Sequence, residues 1–226
     1  MKPPRYETHA DLGGQRGHGR IQAKTEEACF HAPWEARVLA LTLAAGASGV
    51  WNIDTSRSAR ETLPDYSRLS YYQIWFNALA KLLIRYEMVT PEEAVTGRPQ
   101  TASRRVPRKL LAADVTVVLA RGAPTQRTVA RPARFAAGDR VRLYAGEVPH
   151  HTRLPRYMRG KLGVIERVHG AHVFADANAL GRGEEPQWLY AVAVHGKELW
   201  PGRQDAVEAQ RLTVSIDAWE PYLEPA

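Results

Sequence analysis

A lone thiol and a pair of adjacent histidines are the obvious candidates for chemistry in this 226-residue chain, and neither completes a site. Cys29 is the only cysteine, so the chain can form neither an internal disulfide nor a multi-thiolate metal centre. Between Ala28 and Phe30 it reads as a small apolar residue packed in a core rather than as a nucleophile. His150 and His151 adjoin. Neighbouring side chains on a strand point to opposite faces, so the pair is badly placed to share a metal and reads as a solvent-exposed loop. There is no P-loop, no GxGxxG, no HExxH and no nucleophile elbow. What remains is a set of rigid aromatic residues and arginines, whose use depends on the elements that position them.

Those elements fall into two halves with different periods. Pro33 suits the first turn of a helix whose apolar residues are Trp34, Val38, Leu39, Leu41 and Leu43, with Gly46 and Gly49 ending it. Asp54 or Thr55 can cap a short second helix running through Arg57 to Glu61. The third helix is the clearest. Ser70-Tyr71-Tyr72-Gln73 has capping-box spacing, and Tyr71, Ile74, Trp75, Ala78, Leu79 and Leu82 then recur along one helical face. Thr90-Pro91-Glu92-Glu93 is a second capping box, with proline where its missing N–H costs least. Pro107 is placed to open a further helix through Leu110, Leu111, Val115 and Val118, although that β-branched run also suits a strand. After Phe135 the period shortens. Val141 and Leu143 alternate with Arg140 and Arg142, and apolar runs at 164–168, 173–174, 189–194 and 212–216 are separated by glycine-bearing turns. Such spacing predicts a small antiparallel barrel. The expected fold is α+β: a helical domain over residues 1–97, a basic connector over 98–134 and a β-barrel over 135–226.

A net charge of +7 and a pI near 9.7 first suggest nucleic acid. The map of that charge argues otherwise. Residues 98–134 hold nine basic residues against one acid, Asp114, so this stretch carries +8 and the rest of the chain −1. The stretch is rich in Pro, Gly, Ser and Thr and has no Phe, Tyr or Trp to stack bases, so it reads as a solvated linker and no nucleic-acid partner is expected. A composition of 44% hydrophobic and 24% charged residues fits a folded domain rather than a disordered tail. No apolar run reaches the roughly eighteen residues of a membrane span. Residues 1–5 and those after them lack the apolar core of a signal peptide, so a cytoplasmic protein is expected.

Eight blocks in order give the chain a family resemblance. They are HADLGG at 9–14 with GHG at 17–19, FHAPWE at 30–35, WNIDTSR at 51–57 continuing to Glu61, SYYQIW at 70–75, FAAGDRV at 135–141, HTRLPRYMRGK at 151–161, ELW at 198–200 and WEPYLEP at 219–225. In sequence and spacing the chain resembles the β subunit of nitrile hydratase. The resemblance implies an SH3-like C-terminal barrel and hydration of a nitrile to its amide at a low-spin cobalt(III) or iron(III) ion. It also implies that a partner α subunit holds this metal through oxidised cysteines of a CxxCxC loop, and that this chain binds none. An α2β2 heterotetramer is the implied assembly.

The same resemblance assigns roles residue by residue. Arg57 and Arg153 match the β-subunit arginines that hydrogen-bond the oxidised cysteine oxygens. A planar guanidinium meets such anionic oxygens with several directed donors, which lysine cannot copy. Tyr71 matches a tyrosine that offers its hydroxyl to the activated water or the imidate, and Trp75, one turn on, matches an apolar wall of the same pocket. Glu61 matches an acid that orients the first arginine or relays protons, and Ile53 and Ser56 match pocket-lining positions. Trp75 is of the cobalt type, where iron-type subunits tend to carry tyrosine. Two departures stand out: Ser56 replaces a bulky apolar residue, which implies a wider or more polar pocket, and His150 replaces a glycine. Thiocyanate hydrolase, in which the equivalent chain is split in two, and a metallochaperone resembling only the N-terminal half are the alternatives.

Overall fold

Proline at the head of the first helix sets the pattern for the N-terminal half, in which local sequence signals begin and end each element. The computed structural model describes residues 6–15, 17–20, 28–201 and 211–226; residues 1–5, read above for the absence of a signal core, lie outside them. The chain divides into two units, Met1–Ala123 and Pro124–Ala226.

The first unit is helical. Helix α1 spans Pro33–Ala47, α2 Ile53–Glu61, α3 Tyr71–Arg85, α4 Pro91–Thr96 and α5 Val115–Arg121. Both predicted capping boxes are present, Ser70 with Gln73 at α3 and Thr90 with Glu93 at α4. Gly97 ends α4 in the left-handed conformation, at φ 66°, where a side chain would be strained. The cap of α2 lies earlier than expected. Asn52, not Asp54 or Thr55, accepts from the Thr55 N–H at 2.9 Å, which moves both expected residues inside the helix. The stretch beginning at Pro107 resolves in favour of helix, but only from Val115 onward. α1 and α2 pack on α3 over a core of Trp51, Ala59, Leu63, Ala78, Leu79 and Leu82. The apolar face predicted for α3 is thus buried in its middle, whereas Tyr71 at its N-terminal end is 63% exposed.

The second unit is built on an antiparallel sheet of β1 (Gln126–Arg127), β2 (Arg140–Leu143), β3 (Leu162–His172), β4 (Gln187–His195), β5 (Thr213–Trp219) and β6 (Leu223–Pro225). The order is β5-β4-β3-β2-β6, with β1 also paired to β3. Val141 and Leu143 face inward as their alternation predicts, and with Leu154, Met158, Ile165, Tyr190, Val192 and Val194 they form the core. Short helices α6 (Ala175–Ala179) and α7 (Gly196–Leu199) follow β3 and β4. The closed barrel expected from the sequence is not what the ladders form. Two irregularities in the β3–β4 register, at Ile165/Arg167 and Val168/Gly170, bend the long strands, but among the described residues no ladder joins β5 to β6, so the sheet stays open. The run at 173–174 is also not a separate strand, because β3 continues unbroken to His172 and leads into α6.

The basic stretch at 98–134 straddles the boundary between the units, and its arginines are not simply solvated. Arg127 forms a two-pronged pair with Glu184 at 2.6 Å. Arg131 pairs with Glu220, whose carboxylate is 2% exposed and also accepts from the Arg134 N–H at 3.0 Å and the Tyr190 hydroxyl at 2.6 Å. Burial raises the pKa of Glu220, but these hydrogen bonds outweigh it and hold the carboxyl below its ordinary value. Part of the chain's surplus positive charge therefore neutralises acids of the second unit.

Candidate functional site

Starting α2 at Asn52 decides which of its residues face out. Asp54, Thr55 and Ser56 are buried, while Ile53 and Arg57 are exposed. Arg57 Nη1 donates to Asp54 Oδ1 at 2.8 Å, a pair in which the aspartate side chain is 5% exposed and the arginine side chain 43%. One edge of the guanidinium is thus held by a buried carboxylate one turn earlier. The side chain is otherwise partly open to solvent, an arrangement suited to an anionic acceptor arriving from outside.

One turn further on, Arg60 Nη2 donates to Ser56 Oγ at 3.0 Å, and its Cζ lies 4.2 Å from the Trp75 ring centroid. Burial lowers the Arg60 pKa from its usual value; the phenol of Tyr71 works against that, and Arg57 adds to it. Tyr71 and Trp75 ring centroids are 5.5 Å apart, and Tyr72 meets Tyr71 edge-on at 5.2 Å. Ser56, Tyr71 and Trp75 are thus brought together, with Arg60 as the residue that joins them. Sequence reasoning passed over Arg60, although its position four residues after Ser56 puts the two on one helical face.

Glu61 is engaged differently. Its carboxylate accepts from the Tyr6 hydroxyl, and its main-chain carbonyl accepts from the His9 N–H at 2.7 Å, which fastens residues 6–9 to the end of α2. The anchor seen on Arg57 is Asp54. Ile53 stands half-exposed at the first position of α2.

Arg153 belongs to the second unit, in the loop between β2 and β3. Its main-chain N–H donates to the Tyr222 hydroxyl at 3.1 Å, and that hydroxyl in turn donates to Asp176 Oδ1. Asp176 is 4% exposed, and His150 Nδ1 lies 3.6 Å from its other oxygen. Burial raises the Asp176 pKa, opposed by the Tyr222 hydrogen bond and by the two histidines. Burial also raises the Tyr222 hydroxyl, with the Asp176 charge adding to it. The Arg153 side chain is exposed and has no partner among the described residues. His150, Asp176 and Tyr222 line a cleft of about 270 Å³ together with Tyr144, Phe174 and Arg182.

Two expectations need correcting. The histidine pair is not a solvent-exposed loop: His151 is 1% exposed and His150 is partly covered, because the loop folds onto Asp176. Cys29 is exposed rather than packed in a core. Among the described residues, no group of three or more His, Cys, Asp or Glu side chains is arranged to hold a metal ion. No described helix is long and apolar enough to cross a membrane.

Residues 6–130 match the family model described as "Nitrile hydratase beta subunit, N-terminal", and residues 124–225 match "Nitrile hydratase beta subunit, C-terminal". The low-molecular weight cobalt-containing nitrile hydratase subunit beta of Rhodococcus rhodochrous is 35% identical over 96% of this chain and 98% of its own length. The cobalt-containing nitrile hydratase subunit beta of Pseudonocardia thermophila is 31% identical, over 95% of this chain and 94% of its own. Similarity to the thiocyanate hydrolase subunit alpha of Thiobacillus thioparus, at 34% identity, extends over 43% of this chain and 76% of that one.

Proposed function

Because the chain belongs to the nitrile hydratase β-subunit family, we propose that it is the β subunit of an enzyme that adds water across a nitrile to give the amide. An α subunit is its partner, in an α2β2 heterotetramer. Similarity along almost the whole chain favours this reading over a thiocyanate hydrolase subunit, whose likeness stops at 43% of it, and over a metallochaperone resembling the N-terminal half alone.

The metal belongs to the partner. This chain offers a single exposed cysteine and, among its described residues, no ligand cluster. The two relatives named as cobalt-containing, together with Trp75, support cobalt(III) over iron(III). Such an ion supplies Lewis-acid activation of the reactants. The residues of this chain do the rest. The outward donors of Arg57 and Arg153 meet the oxygens of the partner's oxidised cysteines, where charge-assisted bonds are strongest. The Tyr71 hydroxyl hydrogen-bonds the attacking water, Trp75 walls the pocket against bulk solvent, Ser56 and Ile53 line it, and Glu61 steadies α2 through Tyr6.

The observation that carries the reading is the geometry of Arg57: a half-exposed guanidinium held through one nitrogen on a buried carboxylate. In the assembled complex, Arg57→Lys should lower kcat by about 100-fold, as loss of a directed donor to an anionic centre does. It should also shift the metal–ligand charge-transfer band. Unchanged turnover with an unchanged band would remove this role from Arg57. The isolated chain should hydrate no nitrile, and activity without a partner would overturn the proposal outright.

A further inference from the structure

Arg60 is a partly buried cation with no carboxylate partner among the described residues, which sets it apart from most placements of such a group. Arg57, Arg104, Arg127 and Arg131 each pair with an acid. Arg60 instead has Ser56 Oγ at 3.0 Å and the face of Trp75 at 4.2 Å. The hydroxyl and the ring occupy one donor and one face of the guanidinium and neutralise none of its charge. A desolvated cation without a counter-ion is unfavourable unless an anion arrives to complete it. Both partners of Arg60 are residues that the functional reading above assigns to the pocket. The small Ser56 side chain is what lets the arginine swing across α2 and lie over Trp75; a bulky apolar residue there would fill the same space and offer no acceptor.

We propose that Arg60 is a specificity-determining residue that selects nitriles carrying a carboxylate or comparable anionic group a few bonds away from the C≡N carbon. This inference rests on the nitrile-hydrating role argued above. The guanidinium stacked on Trp75 presents its unused N–H donors at the edge of the aromatic surface, where a carboxylate can meet two of them side by side. Trp75 then serves both as apolar wall and as the platform that fixes the orientation of the fork. Ser56 sets its reach.

The test is a selectivity ratio measured in the assembled heteromer. Succinic acid mononitrile is compared with isocapronitrile, in which an isopropyl group replaces the carboxylate at nearly the same size. Arg60→Met keeps the length and covers Trp75 but removes the charge. It should lower the ratio of kcat/KM for the acidic over the neutral nitrile by about tenfold or more, as loss of a charge-assisted hydrogen bond predicts. Arg60→Lys retains a charge without the fork and should give an intermediate ratio; it also supplies the answer if the methionine variant fails to assemble. Equal loss on both nitriles would overturn the inference and assign the missing anion to the partner subunit. An unchanged ratio would overturn it as well. In both cases the wild-type complex still hydrates isocapronitrile, so the functional reading stands; hydration of neither nitrile by the wild-type complex would overturn that reading and the inference together.

Discussion

The two arginines proposed to meet the metal centre are held in opposite ways. Arg57 is gripped by its side chain, on an aspartate three residues away in the same helix. Arg153 is gripped by its backbone, on a tyrosine hydroxyl 69 residues away, while its side chain is left without a described partner. The contrast extends through each unit. Polar anchors in the first are mostly local: Asn52 with Thr55, Ser56 with Arg60, Ser70 with Gln73 and Thr90 with Glu93, the chief exception being Tyr6 with Glu61. Those in the second join distant segments, Arg131 to Glu220 across 89 residues and Tyr222 to Asp176 across 46. Local anchors form with their helix and fix a side chain early. Long-range anchors exist only once the strands and loops of the sheet have come together, so the geometry at Arg153 depends on the whole of its unit.

The contrast is broken most directly at Glu220. Glu220→Ala would leave the fully buried Tyr190 hydroxyl, the Arg134 N–H and the Arg131 guanidinium without their shared acceptor. Removing one member of a buried charged cluster costs about 3 kcal/mol or more, so denaturant unfolding of the second unit should move by that amount. A loss below about 1 kcal/mol, the value of one ordinary hydrogen bond, would mean that the long-range anchors add little and that the two units are held alike. A smaller and more pointed effect is expected from Tyr222→Phe. The ring stays packed, but the acceptor for the Arg153 N–H and the donor to Asp176 are lost, for about 2 kcal/mol. Amide exchange at Arg153 should accelerate, and turnover of the complex should fall several-fold. Normal exchange at Arg153 would show that the loop is held by its other packing.

This difference also explains how much was legible in the sequence. Both capping boxes, the Pro33 start and the buried stripe of α3 follow from residues within a few positions of one another, and the structure contains each of them. The inward alternation at Val141 and Leu143 is equally local. The open sheet, the burial of His151 and the role of Asp176 were not legible, because each depends on which distant segment arrives beside it. Asp176 lies in an unremarkable stretch, and its carboxylate gains partners only when Tyr222 and His150 arrive from distant segments. The same holds for Arg131 and Arg134: charge counting put them in a linker, and Glu220, far along the chain, makes them structural. At the site itself, position in a matched block pointed to Arg57, Tyr71 and Trp75. Arg60 lies within the block that runs on to Glu61 but was assigned no role there, and it became visible only when Ser56 and Trp75 were seen on either side of it.

The smallest predicted effect sharpens the contrast from the local side. Glu93 is a partly exposed carboxylate whose pKa is lowered from 4.5 to about 2, chiefly by the Gln100 N–H and then by the N–H groups of Thr90 and Thr101. It therefore closes the cap of α4 and also ties down the turn that follows. Because the folded value lies below the unfolded one, the stabilisation is fully present above about pH 4.5 and is lost as the pH falls toward 2. The amide shifts of Gln100 and Thr101 should titrate with a midpoint near 2, and Glu93→Gln should abolish that titration. Its effect on global stability should be slight, since solvent screens a partly exposed carboxylate and α4 is a short helix with no buried residue. A midpoint at the ordinary carboxylate value would show that these N–H groups do not hold Glu93. A loss of stability as large as that of Glu220→Ala would erase the distinction between local and long-range anchors, because a surface cap would then matter to the fold as much as a buried cluster.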